Sequence, residues 1–165
     1  MAPNQKLLNE ALPVSLFCSS ADEPNDLIRC AILGCGMMGQ EHVSYIMGYP
    51  KEVRIDYLVD PHQPSLDKAR TVMREFQVSE GDPSENFRHE TTLLRNEDEL
   101  FLYIDKIDLL VIATPNYLHT DALVNWGKHN ITILVEKPVA VSLEQHNRLQ
   151  ELTQAPDFKA RVWVA

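Results

Sequence analysis

Cysteine is scarce in this chain, and the three present, Cys18, Cys30 and Cys35, form neither a C-x-x-C pair nor an even disulfide framework. A reducing compartment follows as the expectation, with the cytoplasm as the location. Basic charge is also short: 15 Lys and Arg stand against 24 Asp and Glu, a net charge of −9. That balance argues against nucleic acid or an anionic membrane as partner, since both reward clustered Lys and Arg. No run approaches the ~18 apolar residues of a membrane span. Leu12 to Cys18 is apolar, but Glu10 and Pro13 interrupt it, only Lys6 precedes it, and no clear small-residue cleavage site follows, so it does not read as a signal peptide. Metal-ligand spacing is missing as well. His89-Glu90 is followed by Thr91, Thr92 and Leu93, so the second histidine of H-E-x-x-H is absent.

What remains is an ordinary globular composition, 44% hydrophobic and 24% charged over 165 residues, long enough for one domain with a real core. The acid excess is partly local: Glu80, Asp82, Glu85, Glu90, Glu97, Asp98 and Glu99 face only Arg88 and Arg95, which reads as a solvated surface. Glycine is sparse, six in all, yet three of them fall in Gly34-Cys35-Gly36-Met37-Met38-Gly39 directly after the apolar run Ile28 to Leu33. In this G-x-G-x-x-G, Gly34 permits the tight turn off a strand, Gly36 lets backbone approach a pyrophosphate, and Gly39 lets the following helix pack against the sheet. Unpaired N–H groups at that helix N-terminus, along Cys35, Met37 and Met38, attract phosphate. Asp60 ends the next strand-like run, Val53 to Val59, at about the 20-residue separation expected for a ribose-binding carboxylate. Together these point to a nicotinamide dinucleotide. NAD is expected over NADP, because a 2′-phosphate would meet the charge of Asp60 and no Arg or Lys follows until Lys68; NADP stays open.

Along the chain, residues 1–26 show no sustained periodicity and are expected to form a flexible extension before a dinucleotide-binding domain at 27–165. From Leu27 strand and helix alternate: strands at Leu27–Leu33, Val53–Val59, Asp108–Ala113, Ile131–Val135 and from Arg161, with helices at Met37–Gly48, Pro64–Phe76, Asn96–Ile104, Tyr117–Lys128 and Ser142–Gln154. Gly81-Asp82-Pro83-Ser84 marks a turn, and a short strand near Phe87–Glu90 is expected. Such alternation specifies an α/β fold, a Rossmann-type doubly wound parallel sheet. A chain ending inside the apolar strand Arg161–Ala165 looks cut.

Two further motifs follow buried strands. Val111-Ile112-Ala113 runs into Thr114-Pro115-Asn116-Tyr117-Leu118-His119, and Val135 into Glu136-Lys137-Pro138. Ligands of open parallel sheets sit outside the carboxyl ends of the strands, where both motifs fall. A Glu-Lys pair directly after Ile-Leu-Val is costly unless it opens into a polar cleft. The Lys137–Pro138 bond, like other rim X-Pro bonds, can be cis. The three motifs, in this order, closely resemble the Gfo/Idh/MocA family (glucose–fructose oxidoreductase, inositol dehydrogenase and rhizopine catabolism proteins) over residues 28–165. The resemblance implies an NAD(P)-dependent oxidoreductase moving a hydride between an alcohol carbon of a sugar, polyol or diol and the nicotinamide ring. It implies Glu136 near the nicotinamide ribose, Lys137 touching substrate or assisting proton transfer, and a second α/β domain, apparently missing here, carrying much of the substrate site and of any subunit contacts. A 165-residue chain lacking that domain is expected to bind cofactor with little turnover.

Blander roles stand beside these. Thr114 and Asn116 can simply cap the next helix, His119 can be a packed histidine instead of a ligand contact, and Asp60 a strand-end acid. Cys35, beside a helix N-terminus that can lower a thiol pKa, can be merely a small loop residue. Trp163 resembles a family position near the nicotinamide, though an aromatic on a last strand is often core. Alternative functions are a catalytically silent dinucleotide-binding or scaffold protein, and an S-adenosylmethionine or flavin enzyme; neither of the latter classes accounts for the Thr-Pro-Asn and Glu-Lys-Pro motifs together.

Overall fold

In a computed structural model, which describes residues 27–80 and 90–165, six short parallel strands alternate with helices. Strand β1 (Ile28–Leu33) leads to helix α1 (Met37–Met47), β2 (Val53–Val59) to α2 (Gln63–Glu80), and β3 (Thr92–Leu94) to α3 (Glu97–Phe101). After a 3-10 turn at Ile104–Lys106, β4 (Leu109–Ile112) runs through a second such turn, Asn116–Leu118, into α4 (His119–Trp126). Then β5 (Thr132–Val135) leads to α5 (Leu143–Gln154) and β6 (Arg161–Val164). The sheet order is β3-β2-β1-β4-β5-β6 with every pair parallel. Chain order therefore reverses between β1 and β4, and that switch point opens a crevice at the carboxyl ends of the strands.

The two-residue period of a strand divides the core. On β1, Cys30 and Ile32 pack with Val43 of α1 and Leu66 and Ala69 of α2, while Ala31 and Leu33 pack with Leu123 and Trp126 of α4 on the opposite face. Ile32, Leu58, Leu110, Ile112 and Ile133 have no exposed surface, and each such side chain contributes about 1.5–3 kcal/mol by burial. Arg29 staples β1 to the start of β4: its backbone N–H, Nε and Nη2 all donate to the Asp108 carboxylate at 2.8–2.9 Å. Burial alone would raise the Asp108 pKa, but these hydrogen bonds and the Arg29 charge outweigh it and hold it below the ordinary value.

Several expectations shift. The edge strand lies at Thr92–Leu94, where it can pair with Tyr57–Val59; most of the expected strand at Phe87–Glu90, the turn at 81–84 and the extension at 1–26 lie outside the described residues. The helix after Asn96 is capped as expected, with Asn96 Oδ1 accepting the Glu99 N–H at 2.9 Å, but it ends at Phe101, where tighter 3-10 bonds from Leu102 and Tyr103 take over. Glu97 is more than a solvated acid: it accepts the Trp126 indole N–H at 2.7 Å, satisfying a buried aromatic that stacks on Phe101 with centroids 4.2 Å apart. Trp163 is 44% exposed on β6 and is not core.

Candidate cofactor site

Each glycine of the loop after β1 answers a different need. Gly34 has φ +96°, and a Cβ there would lie 2.5 Å from the Ala113 carbonyl oxygen, because this turn abuts the end of β4 across the crevice. At Gly39 a Cβ would fall 2.0 Å from the Gly34 carbonyl oxygen, so only glycine lets α1 sit so close to the loop. Gly36 is the opposite case. Its backbone is extended, and an added Cβ would meet no heavy atom within 4 Å. Neither conformation nor packing within the chain requires glycine at 36; the open space above it suits a group brought close to the backbone. No side chain caps α1, so its first N–H groups have no side-chain cap beside that space.

Asp60 closes on this loop from the end of β2. Its Oδ2 accepts the Cys35 N–H at 2.8 Å and its Oδ1 the His62 N–H at 2.8 Å, so a carboxylate 25 residues away is fixed at the loop's edge. Cys35 is wholly buried, and burial first, then the charge of Asp60, pushes its thiol up to about 12. The lowering that a helix N-terminus can produce is outweighed, and the thiol stays protonated at neutral pH.

Past β4, the Thr114 hydroxyl is buried without a hydrogen-bond partner, and Pro115 and Asn116 are exposed. No side chain caps the turn at Asn116–Leu118 or the start of α4, so Thr114 and Asn116 are not caps. His119 has no exposed surface; its Nδ1 lies 2.9 Å from the Pro138 carbonyl oxygen and its Nε2 2.8 Å from that of Thr114. Of its two roles the geometry supports the packed, hydrogen-bonded one, tying the loop after β4 to the loop after β5. Past β5, Glu136 is buried while Lys137 is exposed, and the Lys137–Pro138 bond is cis.

One residue of this rim escapes sequence reasoning. His42 Nε2 lies 2.9 Å from Glu136 Oε1, joining α1 to the end of β5 with both side chains nearly buried. The available signal is positional: His42 shares the inward face of α1 with Gly39 and Val43, a place for an apolar residue unless a polar partner waits there. An open hollow bordered by Met37, Met38, His42, Tyr45 and Glu136 lies beside the pair. Among the described residues no group of His, Cys, Asp or Glu is arranged to hold a metal ion, and no helix is long and apolar enough to cross a membrane.

A glycine loop and a strand-end carboxylate at the switch point of a parallel sheet define a dinucleotide-binding Rossmann domain. The chain belongs to the Gfo/Idh/MocA family: the model of this oxidoreductase family, described by its NAD-binding Rossmann fold, matches residues 28–164. The chain is 26% identical to scyllo-inositol 2-dehydrogenase (NAD(+)) of Bacillus subtilis over 125 residues, 75% of this chain and 32% of that protein. It is 27% identical to 2,7-anhydro-N-acetylneuraminate hydratase of Mediterraneibacter gnavus over 124 residues, 75% of this chain and 28% of that protein. The WlbA dehydrogenase of Bordetella pertussis, solved with NADH and UDP-GlcNAcA, shares the fold at a TM-score of 0.64 and 19% identity, covering 84% of this chain and 37% of that one. The chain thus spans about a third of the length of the curated relatives it matches.

Proposed function

We propose that this domain binds NAD(H) as the cofactor-holding part of an oxidoreductase acting on an alcohol carbon of a polyol or sugar-like substrate. The observation that carries this reading is that one helix serves both ends of the cleft. The N-terminus of α1 carries the glycine loop with its open space at Gly36, and His42, less than two turns on, grips Glu136 beside Lys137. A pyrophosphate over Gly36, with adenosine ribose hydroxyls donating to Asp60, directs the other half of the cofactor along α1 toward Glu136 and Lys137. Thr114, Pro115 and Asn116 border that path from β4. When bound, the dinucleotide supplies the hydride acceptor; the chain's residues do the rest. Glu136 orients the ribose near the reacting end. Lys137 Nζ hydrogen-bonds the reacting hydroxyl and carries its proton. The relatives' inositol and nucleotide-sugar ligands support a polyhydroxylated substrate.

Titration calorimetry with NADH tests these roles. Gly36→Val should lower affinity by at least ~100-fold, about 2.7 kcal/mol, as the side chain fills the pyrophosphate space. It should leave folding intact, because a Cβ there meets nothing within 4 Å. Lys137→Ala should bind NADH like the parent, its loss falling on turnover wherever turnover is measurable. Equal NADH affinity in Gly36→Val and the parent removes the loop from the cofactor site and overturns the reading.

A further inference from the structure

Arg95 stands where the stretch between Asp60 and Lys68 offers no positive charge. Strand β3 pairs Leu94 with Val59, and the Asp60 N–H donates to the Leu94 carbonyl at 3.1 Å. Arg95, one residue past the strand, is thereby held level with Asp60. Its guanidinium turns onto the segment that follows Asp60: Nη1 donates to Gln63 Oε1 at 2.5 Å, and Nη2 donates to the Pro61 carbonyl. A cation is thus anchored beside the carboxylate that faces the adenosine ribose in the function proposed above. The side chain is exposed, and these bonds use two of the five N–H groups a guanidinium carries. Nearby acids are engaged elsewhere. Glu99 accepts the Arg95 backbone N–H and the Asn96 amide, and Asp67 accepts from Gln63 and Arg70.

We propose that Arg95 is a specificity-determining residue that admits a 2′-phosphorylated adenosine ribose beside Asp60, so that the site takes NADP(H) as well as NAD(H). Asp60 alone accepts hydrogen bonds from the ribose hydroxyls and repels a 2′-phosphate. A planar guanidinium anchored one residue away offsets that repulsion and keeps three N–H groups with which to donate to phosphate oxygens. The inference rests on the dinucleotide-binding reading and adds to it the identity of the dinucleotide.

The adenosine half can be tested without a nicotinamide end, using ADP-ribose and 2′-phospho-ADP-ribose as calorimetric probes on the 165-residue chain. The parent should bind both within about tenfold of each other. Arg95→Gln should weaken the 2′-phosphorylated probe by about tenfold or more and ADP-ribose by less than about threefold, with Arg95→Lys recovering part of the difference. Arg95 lies on the surface, and unchanged ADP-ribose affinity doubles as evidence that the variant is folded. If ADP-ribose binds but the ratio of the two affinities does not depend on Arg95, this proposal fails alone. It fails alone, too, if the parent disfavours the 2′-phosphate by more than about tenfold. If ADP-ribose does not bind the parent, the dinucleotide-binding reading fails and takes this proposal with it.

Discussion

Replacing His42 with alanine removes the neighbour that holds Glu136 from another element. The two side chains retain only 16% and 10% of their surface, and the His42 Nε2 to Glu136 Oε1 distance is 2.9 Å. Truncation leaves a nearly buried carboxylate without that donor. A hydrogen bond to a charged group contributes about 1.5–3 kcal/mol, and breaking a fully buried ion pair costs about 3–5. This pair borders an open hollow, so water can enter the space left by the ring, and the lower range applies. The expected loss is about 2 kcal/mol, or a fall in melting temperature of roughly 5–10 °C for a domain of this size. Urea unfolding followed by tryptophan fluorescence measures it, since Trp126 is buried in the native state. The midpoint should drop with the slope unchanged. A double-mutant cycle with Glu136→Gln isolates the pair, and the coupling should exceed about 1 kcal/mol. NADH affinity should fall too, because the end of β5 loses its tie to the helix that carries the glycine loop. A loss below about 0.5 kcal/mol, or strict additivity in the cycle, would falsify the assignment.

Two further expectations concern the same loop. Gly39→Ala places a Cβ 2.0 Å from the Gly34 carbonyl oxygen, a backbone atom that cannot rotate away, so the domain should lose about 3 kcal/mol or more along with NADH binding; an unchanged melting temperature refutes the close approach. Cys35 bears on alkaline stability: its thiol is pushed from near 9 up to about 12 in the folded state, so the unfolded chain ionises first and favours unfolding. The stabilisation is complete below about pH 9 and is lost as pH climbs toward 12, by up to ~1.4 kcal/mol per unit. Urea midpoints at pH 8 and 10 should fall less steeply in Cys35→Ala than in the parent, and identical slopes remove Cys35 as a cause; buried Cys30 acts in the same direction in both chains.

Much of this architecture is legible because interior parallel strands are mostly apolar stretches, broken only by Arg29 in β1 and by Arg54 and Asp56 in β2, that end in motifs. Ile28–Leu33, Val53–Val59 and the runs before Thr114 and Glu136 announce themselves this way, and the rim falls where each run stops. The edge strand is not legible: Thr92–Leu94 is three residues long and exists because Tyr57–Val59 offers it a partner, not because of a pattern of its own. The same limit hides the groups that arrive from afar. His42 and Glu136 are 94 residues apart, so nothing local marks them as a pair. Arg95 reaches the neighbourhood of Asp60 across the β2–β3 pairing, whereas a search along the chain from Asp60 meets no cation before Lys68. Glu97 looks like one acid of a solvated run until Trp126, 29 residues on, turns its indole toward it. In each case the missing information is a tertiary contact, and polar residues show no periodicity that would betray one.

The two histidines of the rim share a single task from opposite faces of the sheet. His42 comes from α1 on one side and takes the Glu136 carboxylate; His119 comes from the first turn of α4 on the other and meets the Pro138 carbonyl oxygen. Thr120 adds a third tie, donating to the Val139 carbonyl at 3.0 Å. Residues 136, 138 and 139 are therefore each anchored, while Lys137 between them is exposed. The backbone around Lys137 is thus fixed on both sides while its four-carbon side chain is free, the arrangement that the role proposed for its amine requires. The same His119 ring also lies 2.8 Å from the Thr114 carbonyl oxygen, so it is packed between the loops after β4 and β5 and donates to one carbonyl or the other according to its tautomer. The spacing between the glycine loop and Lys137 is thus set by His42 and His119, and a change at either histidine should weaken NADH binding in calorimetry.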